Sequence, residues 1–272
     1  MIGEPSNELI EFTFLGQAGF LIGRGKDSFL IDPYLSNYVV EKGIGPADLF
    51  SREYPAPLKM DALVDVDLIF ITHDHADHCD PDTLLPLYKS NRQRLFICPA
   101  PVAKHLLEIG VDEAHIQVPK VGELNHHAGV EYYAIPAAHY LFDQNENTQA
   151  YSYFGYVIKV GDIWIYHAGD TILYDGMVES ILKHTPKIDV ACLPVNGRDG
   201  WRERLGMIGN LDAAEALELG QRIKANVLLP MHNDLFKGNH VNNAILADLV
   251  DKKYPRQKVH WLQPGERYFY AK

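Results

Sequence analysis

The chain has 272 residues, of which 47% are hydrophobic, so it is long enough to bury an extensive core. Its formal net charge of -11 argues against a nucleic-acid partner, because proteins that bind the phosphate backbone usually carry basic patches. The three cysteines are widely separated and suggest no disulfide framework, which favours a reducing compartment. The N-terminus shows no secretory pattern, and no apolar run is long enough to span a bilayer. We therefore expect a cytoplasmic protein with no membrane partner.

The N-terminal third is expected to form short strands separated by turns. Residues 9–15 alternate in polarity, and glycines separate them from the apolar runs 20–22 and 29–31. Residues 36–61 have weak periodicity and contain three prolines, so we expect a long surface loop there. Long loops in compact domains often act as lids or binding elements.

The rest of the chain alternates between strand and helix patterns. Asp80 followed by Pro81 is typical of a helix start, with the aspartate as the N-cap and the proline at the first helical position. A second helix is expected over residues 212–223, between apolar strands at 190–195 and 227–230. Since no composition shift marks a linker, we expect one domain over residues 1–272.

The stretch THDHADHCDP, residues 72–81, follows an apolar strand-like run and is crowded with titratable side chains. Its His73-x-His75-x-Asp77-His78 spacing combines imidazole and carboxylate, which are the usual ligands of zinc, manganese and iron. His73 and His75 point to the same side while the chain stays extended. A polar capping loop is the alternative, but so dense a cluster without a metal would force charge repulsion or buried charge. The stretch therefore predicts a metal site.

Three further candidate ligands each follow an apolar strand-like run: His139, Asp170 and His232. Strand ends meet at one edge of a layered α/β fold, and ligands gather there. Taken singly, each of these residues could equally be structural. Together with the histidine stretch they form a consistent ligand set.

This ordered set, HxHxDH followed by an isolated His, an Asp in a GDT context and a late His, resembles the metallo-β-lactamase superfamily. The resemblance covers most of the chain and implies an α/β fold, the four-layer αββα sandwich. It also implies that His73, His75 and His139 hold a first metal, that Asp77, His78 and His232 hold a second, and that Asp170 bridges both. His75 stands where the oxygen-reducing diiron relatives carry a carboxylate, so the resemblance favours hydrolysis.

The stretches FLGQAGFLI, THDHADHCD, HAGDT and LPVNGR are similar to the UlaG group, named for L-ascorbate-6-phosphate lactonase. This resemblance implies one or two divalent metal ions, Mn2+ or Zn2+ with Fe2+ as a third option. It also implies a small phosphorylated lactone or ester, such as L-ascorbate 6-phosphate, as the substrate.

The expected chemistry is hydrolysis by a metal-bound hydroxide, since a divalent metal lowers the pKa of its water from about 15.7 towards 7. Asp77 is the expected catalytic residue, which would orient the hydroxide and accept its proton; a purely ligating role is an equal alternative. Asn196 and Arg198 follow the strand at 190–195 and are expected to bind the small anionic substrate at the same edge. His167 is expected to support a ligand from behind.

Two other functions are left open by the sequence. Related folds cut RNA and DNA, so a phosphodiesterase or nuclease is one alternative, although the net charge counts against it. A non-catalytic metal-binding protein is the other. The sequence also leaves open a homo-oligomer whose subunits contact one another through residues 36–61.

Overall fold

The computed structural model describes residues 9–24, 27–144 and 150–272. Residues 25 and 26, between the expected strands at 20–22 and 29–31, lie outside this part. The strands are, in chain order, β1 (Leu9–Gly16), β2 (Gly19–Arg24), β3 (Asp27–Ile31), β4 (Leu68–Phe70), β5 (Leu95–Ile97), β6 (Ile116–Gln117), β7 (Asn125–His127), β8 (Val130–Pro136), β9 (Phe154–Val160), β10 (Ile163–His167), β11 (Val190–Pro194), β12 (Val227–Met231), β13 (Lys258–Val259) and β14 (Arg267–Ala271).

Helices connect the later strands of each sheet. They are α1 (Tyr38–Glu41), α2 (Ala47–Phe50), α3 (Pro81–Ser90), α4 (Ala100–Glu108), α5 (Met177–Ile181), α6 (Gly200–Arg204), α7 (Ala213–Arg222) and α8 (Asn243–Lys253). Short 3-10 turns lie at Met60–Leu63 and Glu113–His115. Among the residues that the structure describes, none of the helices has the length and apolar character needed to cross a bilayer.

The strands form two seven-stranded sheets, with the orders β14-β1-β2-β3-β4-β5-β6 and β13-β12-β11-β10-β9-β8-β7. In each sheet one half is antiparallel and the other half is parallel. Parallel neighbours need crossover connections, and helices supply most of them here: α3 joins β4 to β5, and α7 joins β11 to β12. The carboxyl ends of these parallel strands therefore lie along one edge of each sheet.

The two sheets pack face to face through aromatic side chains. The Phe70 ring of the first sheet lies 5.1 Å from the rings of both Tyr132 and Tyr156 of the second. Behind the first sheet, Leu84 of α3 and Leu106 of α4 are fully buried in a separate apolar cluster. Residues of α5 and α7 pack in the core of the second sheet. The expected αββα sandwich is confirmed.

The helix starts expected from the sequence are confirmed. Asp80 is the N-cap of α3 and accepts from the backbone N–H of Asp82 at 2.9 Å. Asp212 caps α7, where it forms a capping box with Glu215.

Residues 36–61, expected to form a long surface loop, also contain the single-turn helices α1 and α2 and the start of a 3-10 turn. Helices of four residues are too short to show a full hydrophobic period, so periodicity does not reveal them. The five-residue helix α6 was not expected for the same reason.

Candidate metal centre

The histidine stretch forms a compact turn between β4 and α3. The backbone N–H groups of His78 and Cys79 both donate to the carbonyl of His75, at 3.0 and 2.8 Å. This turn leaves His73 and His78 fully buried, while Asp77 is partly exposed. The side chains of the stretch therefore converge instead of pointing into solvent.

The three distant candidates arrive from the other sheet. His139 follows β8, Asp170 follows β10 and His232 directly follows β12. Nε2 of His232 lies 3.2 Å from Asp170 Oδ2, and Nε2 of His78 lies 3.3 Å from Asp170 Oδ1. Asp170 thus lies between His78 of the histidine stretch and His232, which is 62 residues further along the chain.

All seven residues expected as ligands come together in three overlapping sets, each with its ligand atoms within 4.8 Å of one another. The sets are His73, His78 and Asp170; His75, His139 and Asp170; and Asp77, His78 and His232. Asp170 and His78 each belong to two of these sets, so the sets share ligands with one another.

The nitrogen atoms of this cluster fit a metal. Nε2 of His73 and Nδ1 of His139 are buried without a hydrogen-bond partner, and such orphaned atoms are rare in folded proteins. Nδ1 of His73 lies 2.9 Å from the Thr72 hydroxyl, so Nε2 is the atom left for an ion. A donor set of imidazole and carboxylate suits zinc, manganese or iron.

The pKa values of these groups depend strongly on the charges of their neighbours in the cluster. Burial alone would raise the pKa of Asp170, but the charges of His232 and His78 outweigh it and hold that pKa well below its ordinary value. Burial would lower the pKa of His78, yet Asp170, Asp77 and Asp32 together raise it to about 10. At His139 the charge of Asp170 also raises the pKa, but burial outweighs it and lowers the pKa to about 4.

Asp32 orients the cluster from behind, and the sequence analysis missed it. Its carboxylate accepts from the backbone N–H and the hydroxyl of Thr72, at 2.8 and 2.6 Å, and lies 2.8 Å from Nδ1 of His78. These bonds leave Nε2 of His78 facing the other ligands. Asp32 follows the apolar strand β3, which is the same signal that singled out His139.

Gln17 is a second missed residue. It is fully buried, it follows β1, and its side-chain amide lies 2.7 Å from Asp77 Oδ2 and 3.0 Å from His232 Nε2. Its backbone carbonyl accepts a hydrogen bond from the backbone N–H of His232 at 2.6 Å. Gln17 and His232 both have positive φ values, 57° and 65°, so two residues in this sparsely populated conformation meet at the site.

His167 is fully buried behind the cluster, as expected, but its partners belong to the backbone. Its Nε2 lies 2.8 Å from the carbonyl oxygen of Ala18, and its Nδ1 accepts from the Gly169 N–H. It fixes the loop between β1 and β2 relative to the segment that carries Asp170.

Asn196 and Arg198 follow β11, and other residues of the second half of the chain hold both side chains. The Arg198 guanidinium donates to both carboxylate oxygens of Glu215, at 2.7 and 2.5 Å, and to the Asn210 carbonyl. The Asn196 amide oxygen accepts from Asn210. Neither predicted substrate contact lines the cavity beside the cluster.

That cavity has a volume of about 510 Å³, and His75, Asp77, His139, Asp170 and His232 are among its lining residues. Sites for small molecules typically have about 300–1,000 Å³, so it can admit a substrate of modest size. The proposed ligands are therefore reachable from solvent on one side.

The chain is similar to proteins that are already known. The family profile described as "Beta-lactamase superfamily domain" matches residues 28–233. A UPF0173 metal-dependent hydrolase of Pyrococcus furiosus is 30% identical over 259 residues, which cover 95% of this chain and 98% of the relative. A UPF0173 metal-dependent hydrolase of Pyrococcus horikoshii is also 30% identical, over 262 residues.

Solved structures show the same fold at lower identity. A metallo hydrolase from the archaeon Ignicoccus hospitalis is 20% identical with a TM-score of 0.72, over 97% of this chain and 99% of that one. An isothiocyanate hydrolase from Delia radicum gut bacteria is 19% identical with a TM-score of 0.72, over 95% and 98%.

Proposed function

The chain belongs to the metallo-β-lactamase superfamily and is a metal-dependent hydrolase, and we propose that it hydrolyses a small ester or lactone held in the cavity beside its histidine–aspartate cluster. The observation that carries this proposal is the convergence of all seven candidate ligands, five of which line a solvent-reachable cavity.

We assign His73, His75 and His139 to one ion, Asp77, His78 and His232 to a second, and Asp170 to both. The set of His75, His139 and Asp170 supports the first group, and the set of Asp77, His78 and His232 supports the second. The third set joins the two groups, because it places His73 with His78 and Asp170. A divalent ion bound there would activate water at neutral pH and polarise the substrate oxygen. Mn2+ and Zn2+ both suit these ligand types, with Fe2+ as a third option.

Asp77 is the proposed proton acceptor. Burial would raise its pKa, but the charges of His78 and His232 outweigh that effect and lower it, so the group is a carboxylate at neutral pH. Its Oδ2 atom accepts from the Gln17 amide, which fixes the carboxylate at the bottom of the cavity. A fixed carboxylate beside the reacting water can hold that water and take its proton.

The phosphorylated lactone expected from the UlaG resemblance is one candidate substrate, and L-ascorbate 6-phosphate is its direct test. One structural neighbour is named an isothiocyanate hydrolase, so an isothiocyanate belongs in the same substrate panel. A bis(p-nitrophenyl) phosphate ester and RNA test the phosphodiesterase alternative. The net charge of -11 weighs against the nucleic-acid substrates.

The test is turnover of this panel by protein loaded with Mn2+ or Zn2+, with Asp170→Asn and His75→Ala as the inactive variants. His240→Ala and Asp61→Asn are matched controls, because both side chains are exposed and neither lines the cavity. We expect loss of turnover in the first pair and wild-type rates in the second. Retained turnover in Asp170→Asn or His75→Ala would contradict the proposal. Tight metal binding with no hydrolysis of any substrate would instead indicate a non-catalytic metal-binding protein.

A further inference from the structure

Much of the cavity wall beside the cluster is apolar and comes from two segments far apart in sequence. Tyr38, Ile44 and Phe50 lie in the segment that carries α1 and α2, and Met207 and Ile208 follow α6. The ring of Phe236, which also lines the cavity, lies 5.9 Å from that of Phe50. These apolar side chains line the cavity together with the polar side chains of Asp74, His105 and Asn239.

Apart from the proposed metal ions, the cavity has no strongly basic side chain to offer an anionic substrate. Within the described ranges, no lysine or arginine lines it. Arg198 is held by Glu215, as described above, and Nε of nearby Arg202 donates to the Gly238 carbonyl at 2.9 Å. Proteins recognise phosphate groups through arginine, lysine or converging backbone N–H groups, and the side-chain cations are missing from this wall.

The rim of the cavity exposes large aliphatic side chains. Ile44, Leu205 and Ile208 leave 44%, 41% and 43% of their surfaces in water, and all three line the cavity. Single exposed apolar residues are ordinary, but a group of them around a concave site marks a surface that an apolar ligand covers. The rim is continuous with the apolar wall that leads down to the cluster, so one molecule can cover both.

We propose that the substrate is an uncharged ester or lactone with an alkyl or aryl group of several carbons. Its carbonyl would face the cluster, and its chain would lie between the segment around Ile44 and that around Ile208. Water adds to the acyl carbon, the acyl C–O bond breaks, and the proton from water goes to the leaving oxygen, which gives a carboxylic acid and an alcohol, or a hydroxy acid from a lactone. This inference rests on the proposed hydrolytic function and names its substrate class.

The test compares γ-butyrolactone, γ-octalactone and γ-decanolactone with L-ascorbate 6-phosphate, using full-length protein loaded with Mn2+ and acid release as the signal. We expect kcat/KM to rise about threefold to fourfold for each added methylene until the cavity is filled, because each methylene leaves water. The phosphorylated lactone should be the poorest substrate. A flat or falling dependence on chain length, or a preference for the phosphorylated compound, would overturn the inference while leaving hydrolysis itself intact.

Two variants assign the effect to the rim. Ile208→Ala should reduce the ratio of the γ-decanolactone rate to the γ-butyrolactone rate, which a general folding defect would not change. Ile245→Ala is the matched control, since Ile245 of α8 is 54% exposed and lies outside the cavity. An equal effect of the two variants on this ratio would contradict the assignment.

A binding measurement separates this inference from the proposed function. γ-Decanolactone should raise the melting temperature of the Asp170→Asn variant more than γ-butyrolactone does, and Ile208→Ala should remove the difference. If no lactone or ester is hydrolysed but this pattern appears, the hydrolytic proposal fails and the apolar site stands. A dimer that Ile208→Ala dissociates, with no chain-length dependence, would assign the rim to a second copy of the chain and overturn the inference.

Discussion

Nδ1 of His78 lies 2.8 Å from Oδ2 of Asp32, and both side chains are fully buried. Asp32 also accepts two hydrogen bonds from Thr72, which immediately precedes His73 in the chain. One carboxylate from β3 thereby fixes the orientation of a proposed ligand and of the backbone that leads into the histidine stretch. Carboxylates behind metal-binding histidines commonly hold the ring and increase its basicity.

The Asp32→Asn variant should bind metal about 10-fold to 100-fold more weakly, the usual effect of removing such a supporting group. Asparagine tolerates the positive φ of 43° at this position, so the backbone should be retained. Competition with a chelator for Zn2+ measures the affinity, and Asp61→Asn, at an exposed position, is the control. Equal affinities in the two variants would show that Asp32 does not support the centre.

Gln17→Met keeps the length of the side chain but removes the amide that donates to Asp77. A hydrogen bond to a charged group contributes about 1.5–3 kcal/mol, so we expect kcat to fall about tenfold or more because Asp77 is no longer fixed. Steady-state kinetics and metal content should be measured together, with Gln93→Met as an exposed control. A kcat within twofold of wild type would rule out a positioning role for Gln17.

Arg198→Met should leave substrate binding unchanged, since the guanidinium is held by Glu215 and lies outside the cavity. The pair is partly exposed, so its loss should destabilise the fold by about 1 kcal/mol at most. The measurement is KM of the wild type and of Arg198→Met for a phosphorylated lactone and for a neutral lactone. A KM that rises tenfold for the phosphorylated compound alone would restore Arg198 as a substrate contact.

Arg94 is a stability determinant far from the site. Its buried guanidinium donates to the carbonyl oxygens of Leu63 and Val66, which lie three residues apart, and to that of Leu87 in α3. Leu63 and Leu87 keep other backbone donors without it, so we expect Arg94→Met to lower the free energy of unfolding by about 1–3 kcal/mol.

Urea denaturation of Arg94→Met and of Arg92→Met measures this effect. Arg92 is two residues away, and its side chain is 59% exposed, so its replacement should change stability by less than about 1 kcal/mol. Similar midpoints for the two variants would argue against the role given to Arg94.

The sequence predicted the proposed ligands because each follows an apolar strand and the strand ends meet at one edge. Asp32 and Gln17 also follow strands, but a single Asp or Gln after a strand is too common to stand out without a neighbouring histidine. Their role depends on contacts with His78 and Asp77, which lie 46 and 60 residues away along the chain. The side chains at the ligand positions were predictable, and the groups that hold them were not.

The direction of a side chain at a strand end was also beyond the sequence. Arg198 follows β11 at the expected edge, but its guanidinium pairs with Glu215 of the α7 capping box and does not line the cavity. The cavity wall depends on short helices that carry no periodic signal. The apolar character of the cavity therefore became visible only in three dimensions.

The central claim is that the histidine–aspartate cluster holds divalent metal and that hydrolysis depends on it. The most direct measurement is the metal-to-protein ratio of the chain after chelator treatment and reloading with Mn2+ or Zn2+. The same ratio is measured for Asp170→Asn, and acid release from the lactone panel is measured on the same samples. We predict one to two ions per chain in the wild type, a lower ratio in Asp170→Asn, and activity that returns only with the metal. A wild-type chain that retains no ion after reloading, or that hydrolyses its substrate equally well without metal, would contradict the claim.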